Sequence, residues 1–214
     1  MKCTAMVFRW ILVVVLVGAF MGGCTRAARP YHFYTLSAMS ETPGPQPIDV
    51  RTDRRPVVVG IGPVQIPEPL NRPQIVTRES PNRVELAEYD RWAGVLDREI
   101  ARVLAENLSL LLESDHVAAF PWEGPEAPTL RVMLDIQRLD GRPGQKATLN
   151  VIWTIVTEGQ GEKEEERHRS VLHEAVSQES YASLVAAESR LLESLSREIA
   201  AVIRQTGLPK EGKR

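Results

Sequence analysis

Three places in this sequence combine reactive residue types with a spacing that could organise chemistry. Cysteine occurs only as Cys3 and Cys24, and a thiol can be a nucleophile, a metal ligand or a point of covalent attachment. His173-Glu174-Ala175-Val176-Ser177 opens like the helix of a zinc protease, but Ser177 stands where the second histidine is needed. Gly60-x-Gly62 follows the apolar run Val57–Ile61, as a dinucleotide-binding turn would. The third glycine is missing, Pro63 follows and no helix pattern opens there, so that turn cannot cradle a pyrophosphate. His168 and His173 are an odd number of residues apart on a strand pattern, which sends them to opposite faces. Glu162, Glu164, Glu165 and Glu166 crowd a turn and read as a solvated face. With no Gly-x-Ser-x-Gly turn either, the sequence offers no catalytic constellation, metal site or cofactor site. It is expected not to be an enzyme.

Cys24 is different, because its surroundings specify its chemistry. Lys2 and Arg9 give a basic start, and Trp10 through Met21 is an almost unbroken apolar run. That run is too short to cross a bilayer, which needs roughly 20 residues, and it reads as the core of an export signal. Met21-Gly22-Gly23-Cys24 resembles a bacterial lipobox. The resemblance implies cleavage before Cys24, a diacylglycerol on its thiol and an acyl chain on its new amino group. One chain anchors only marginally, at about 0.8 kcal/mol per buried CH₂, whereas several on one residue hold firmly.

Removing residues 1–23 from the 214 leaves 191, and loss of Lys2 and Arg9 moves the net charge from −2 to −4. That balance speaks against a polyanion partner, and aromatics at 6% are too few for a single-stranded nucleic-acid platform. Cys3 leaves with the signal and Cys24 is acylated, so no disulfide can form and the exported domain must rest on its core. Residues 24–30 are a short tether, residues 31–206 the domain and residues 207–214 a disordered tail.

Within the domain, Tyr31–Leu36 reads as a first strand, and the Pro-rich piece after it as a loop. Val57–Ile61 is a β-branched run suited to a strand buried on both faces. Gln74–Arg78 and Arg83–Tyr89 flank Glu79-Ser80-Pro81-Asn82 as a hairpin. Leu96, Ile100, Val103, Leu104, Leu108 and Leu111 then fall three and four apart, one face of a helix, with Asp97 and Glu99 in its first turn. Val117–Phe120 is a short strand; Leu130–Gln137 and Ala147–Thr157 alternate as half-buried strands; Glu166–Val176 returns as an edge. Ser180 caps a last helix whose stripe runs Leu184, Leu191, Leu192, Leu195, Ile199, Val202 and Ile203. The pattern predicts one α+β domain, a mixed sheet with both helices on one face and a protruding β-hairpin.

Two stretches carry more than packing requires. In one, Pro67, Pro69 and Pro73 keep the approach to the hairpin out of a central strand. In the other, Tyr89, Arg91 and Trp92 cluster at a helix entry, as interface anchors do, although Trp92 reads equally as a staple onto the sheet. Leu70, Arg72, Ile75, Arg78, Tyr89, Arg91 and Trp92 are therefore the candidate partner-binding residues.

These same residues carry a family resemblance. Tyr34-Thr35-Leu36, the spaced pattern Val64, Pro67, Leu70, Arg72, Ile75, Val76 and Arg78, then Tyr89-x-Arg91-Trp92-Ala93 and Leu195–Ala200 are similar to the PqiC (YmbA)-type, or ABC-type transport auxiliary, lipoproteins. Gly94-Val95 departs from the acidic residue and proline that family members commonly place before the helix. The resemblance implies an outer-membrane lipoprotein facing the periplasm. It would serve as a non-catalytic docking subunit to an MCE-domain protein in lipid traffic between membranes, with a homo-oligomeric ring as a further possibility. Thr25 agrees with the outer membrane, since Asp at that position is the usual signal for inner-membrane retention. There is no P-loop, so the chain cannot itself hydrolyse ATP. The competing reading is a lipid- or lipopolysaccharide-binding carrier, which a large apolar pocket would favour; a closed core with an exposed apolar hairpin would favour docking.

Overall fold

The computed structural model describes residues 29–40, 58–122, 128–158 and 163–206. The signal segment, Cys24, the Pro-rich piece, the turn at 159–162 with Glu162 and the tail lie outside the described residues, whereas Glu164, Glu165 and Glu166 stand exposed on β8 rather than in the turn. Eight strands and two helices follow in the order β1 (His32–Tyr34), β2 (Val59–Gln65), a 3₁₀ turn (Glu68–Leu70), β3 (Gln74–Ser80), β4 (Arg83–Trp92), α1 (Leu96–Leu112), β5 (Val117–Ala119), β6 (Leu130–Gly141), β7 (Lys146–Glu158), β8 (Lys163–Ala175) and α2 (Tyr181–Thr206).

β6 organises the sheet. One of its edges pairs antiparallel with β7 along its length, and β7 passes the ladder to β8, which pairs with no other strand among the described residues. The other edge is shared end to end. β2 runs parallel to Leu130–Asp135, and β3 touches only at Thr77 opposite Gly141. From β2 the sheet continues to β5, and from β3 through β4 to β1, which is parallel to β4. The sheet is thus mixed and open, in one α+β domain. β8 is the edge strand that its weak alternation predicts.

β2 runs past Ile61 to Gln65, further than the β-branched run suggested, with an irregularity between Ile61 and Val64 where Pro63 cannot donate to the ladder. Gly60 has a packing reason instead of a phosphate-binding one: a Cβ there would come within 2.6 Å of Pro128 and 2.7 Å of the Trp122 ring. Gly62 takes a φ of 116°, open to glycine alone at little strain.

Both helices contact the sheet and each other, and the spacing explains which faces they bury. Leu96, Ile100, Val103, Leu104 and Leu108 of α1 meet Leu184, Leu191, Leu192, Leu195 and Ile199 of α2 in one core with Val132, Leu134, Leu149, Val151 and Trp153 of β6 and β7. α2 starts as its sequence predicts, with the Ser183 amide donating to Ser180 Oγ at 3.2 Å. α1 starts at Val95 without a side-chain cap and relies on Asp97 and Glu99 in its first turn.

Candidate docking surface

The segment Pro67–Trp92 divides between core and surface in a way its prolines conceal. The 3₁₀ turn folds Leu70 inward to 7% exposure, Ile75 is fully buried and Trp92 is 6% exposed. All three belong to the hydrophobic core. They are therefore corrected from contact residues to packing residues. The prolines prevent ladder pairing but leave the apolar side chains free to turn under the sheet. β3 buries Ile75, Val76 and Thr77 in succession, with Ile75 and Val76 in the hydrophobic core and Thr77 where β3 meets β6. Trp92 is the staple of its two readings, its amide donating to Pro73 O at 2.7 Å.

The four polar and aromatic candidates go to different places. Arg72 is half-buried, and its Nε has no hydrogen-bond partner among the described residues. Arg78 turns from the hairpin to the sheet, where Nε donates to Asp140 Oδ2 at 2.6 Å, and it donates also to Pro81 O at 3.0 Å. Tyr89 and Arg91 remain at the surface beside β1. The Tyr89 ring lies 5.8 Å from that of Tyr31, and the Arg91 guanidinium stands over Tyr31 at 4.1 Å. The hairpin itself is exposed from Glu79 to Leu86, with Val84 at 41% and Leu86 at 46% exposure. It protrudes behind the polar turn Pro81–Asn82, and its exposed apolar side chains, Val84 and Leu86 on β4, are absent from the candidate set.

Several buried polar groups escaped sequence reasoning. Asp140 is buried between two arginines, accepting from Arg78 and from Arg138 Nε at 2.7 Å, so it locks the root of the hairpin to β6. Glu188 of α2 is buried close by, and its Oε2 has no hydrogen-bond partner among the described residues. Burial, and secondarily the charge of Asp140, pushes its carboxyl up to about 8. Asn107 of α1 donates to Ser196 Oγ of α2 at 3.1 Å and accepts from the Met39 amide at 2.8 Å, tying both helices to the chain after β1. Trp153 Nε1 donates to Ser170 Oγ at 2.9 Å, and Ser170 donates to Glu198 at 2.5 Å. Three of these groups interrupt an apolar helix stripe: Glu188 falls four after Leu184, Ser196 four after Leu192, and Asn107 three after Leu104.

An open cleft of about 370 Å³ runs between Ser37–Ser40 and the outer side of α2. Two of its polar groups are already engaged: Ser189 Oγ accepts from the Ser37 amide at 3.1 Å, and Arg190 is paired with Glu174 of β8 at 2.6 Å. His168 is stacked on Trp153 with ring centres 4.2 Å apart, while His173 lies 3.1 Å from Thr148 Oγ1. No cluster of metal-ligating side chains occurs among the described residues. None of their helices is long and apolar enough to cross a membrane.

Residues 34–200 match the family described as ABC-type transport auxiliary lipoprotein component. No curated protein matches the sequence. Among solved structures, one described only as an uncharacterized protein aligns with a TM-score of 0.64 at 19% identity, covering 82% of this chain and 99% of its own. A Xanthomonas campestris protein assigned to family DUF330 aligns at 0.58 and 14% identity, covering 84% of this chain and 97% of its own. At such identities these two speak for the fold.

Proposed function

The chain belongs to the ABC-type transport auxiliary lipoprotein family, and from that premise we propose that it is a lipid-anchored, non-catalytic docking subunit of an MCE-type system moving lipid between membranes. Cys24 holds it to the periplasmic face of the outer membrane, and the domain presents a surface to the MCE-domain partner or to further copies of itself in a ring. The family match over residues 34–200 carries this reading. Docking is favoured over lipid carriage by the packing. Among the described residues, side chains of α1, α2, β6 and β7 pack into one core, and the cleft beside α2 is open and partly polar, unlike the enclosed apolar cavity a lipid carrier uses. The protruding hairpin, with Val84 and Leu86 exposed along its β4 arm, supplies an apolar element for a partner.

Purification of the native protein from membranes in mild detergent tests this directly. We expect an MCE-domain protein to be retained in near-stoichiometric amount and to be lost when Val84 and Leu86 are both replaced by Asp. These exposed side chains can change without unfolding the domain. Recovery of the protein alone with bound lipid would overturn docking in favour of carriage.

A further inference from the structure

We propose that the aromatic face at β1, formed by Phe33 and the preceding Tyr31 with Tyr89 and Arg91 of β4, rests on the bilayer into which Cys24 is anchored. This rests on the lipid attachment proposed above. Phe33, at 64% exposure, lies in a three-residue strand at the end of the sheet, and Tyr31, at 48%, immediately precedes it. Phe33 stands opposite Arg91 in the parallel ladder, and Arg91 covers the Tyr31 ring, so the four side chains share one face. Tyr31 and Phe33 put two large rings into solvent at one end of the sheet, which is more than a singly scattered apolar side chain.

The length of chain ahead of β1 says what covers that face. Seven peptide bonds separate Cys24 from Tyr31, a reach of at most about 25 Å when fully extended. Tyr31 is therefore confined to the neighbourhood of the headgroups whatever path the tether takes. The tether contributes Arg26 and Arg29 and no acid, which complements an anionic lipid surface. The patch has matching chemistry. Tyrosine rings with a polar tip favour the membrane interface, phenylalanine favours the acyl boundary, and arginine can lay its stem on apolar groups while its head reaches phosphates. His32 and Tyr34, which alternate to the other side, are instead engaged with Asp90 at 3.2 and 2.8 Å.

The absence of other free thiols makes the test simple. Once residues 1–23 are removed and Cys24 is acylated, a Phe33→Cys variant carries the only reactive thiol in the chain. The full-length protein, processed in cells, is labelled with an environment-sensitive fluorophore and reconstituted into phosphatidylethanolamine–phosphatidylglycerol vesicles containing nitroxide lipids. A Val171→Cys variant, exposed on β8, is the comparison. We expect the probe at position 33 to shift to the blue, brighten severalfold and be quenched by shallow nitroxides, while the probe at position 171 does neither. If the parent protein fails to float with the vesicles, or its Cys24 takes up the label, the anchor is refuted and this inference falls with it. If the protein floats but position 33 behaves like position 171, the bilayer contact alone is overturned. A blue-shifted probe that nitroxide lipids do not quench is covered by protein, which also overturns it.

Discussion

Truncating Trp153 to alanine is expected to lower the melting temperature by roughly 6–20 °C, since such changes cost about 3–5 kcal/mol and each kcal/mol moves a domain of this size by about 2–4 °C. Trp153 is 2% exposed in the middle of β7, where its ring is stacked on His168 and packed beneath α2. Its Nε1 donates to Ser170, which passes the chain to Glu198 on that helix. Trp153→Phe keeps most of the volume and the stacking but loses the donor, so it should cost about 1 kcal/mol. Leu195→Ala, on the facing stripe and fully buried, should cost about 2–5 kcal/mol. Thermal denaturation of the three variants checks the order. If Trp153→Ala and Leu195→Ala melt like the parent, α2 does not pack on β7.

Glu188→Gln is expected to leave stability at pH 5 nearly unchanged and to raise it progressively toward pH 8. In the folded protein burial, then Asp140, hold the Glu188 carboxyl protonated up to about 8. In the unfolded chain it ionises at its ordinary value of 4.5. The folded state therefore binds the extra proton across that window, and stability falls as pH rises through it, by up to about 1.4 kcal/mol per pH unit. Above the folded value both states are ionised and the loss is complete. A glutamine cannot ionise, so the variant lacks this slope. The groups in play come from three elements: Glu188 of α2, Asp140 and Arg138 of β6, and Arg78 of β3. Melting curves at half-unit pH steps read the effect as several degrees of divergence between the two proteins. Parallel curves would show that Glu188 is already ionised and paired.

The difference between what the sequence disclosed and what it hid follows from the range of each interaction. α1 and α2, the β3–β4 hairpin and the β6–β7–β8 meander are set by neighbours a few residues apart, and period and turn chemistry expose them. The resemblance to the PqiC (YmbA)-type lipoproteins is borne out by the family match. The β1–β4 and β2–β6 pairings are parallel and join residues more than fifty positions apart, such as His32 with Asp90, so no local pattern specifies them. The hairpin's approach was misjudged for a related reason. Proline reports what the backbone cannot donate, whereas Leu70 and Ile75 are buried by contacts with distant elements. Arg78 looked like a surface anchor because Asp140 lies 62 residues away. Glu188, Ser196 and Asn107 lie in apolar stripes, yet a polar residue at a core position is legible only to a reader who asks why the stripe is interrupted.

The account turns on a protein fixed to the outer membrane through Cys24, because docking a conduit and resting β1 on lipid both require that anchor. Mass spectrometry of the mature amino-terminal peptide, taken separately from outer-membrane, inner-membrane and soluble fractions, tests it most directly. The account predicts a peptide that begins at Cys24, carries acyl chains on the thiol and amino group and comes from the outer membrane, with Cys24→Ala moving the protein out of that fraction. An unacylated Cys24, an intact residue 1–23 segment, or an acylated peptide confined to the inner membrane would contradict it.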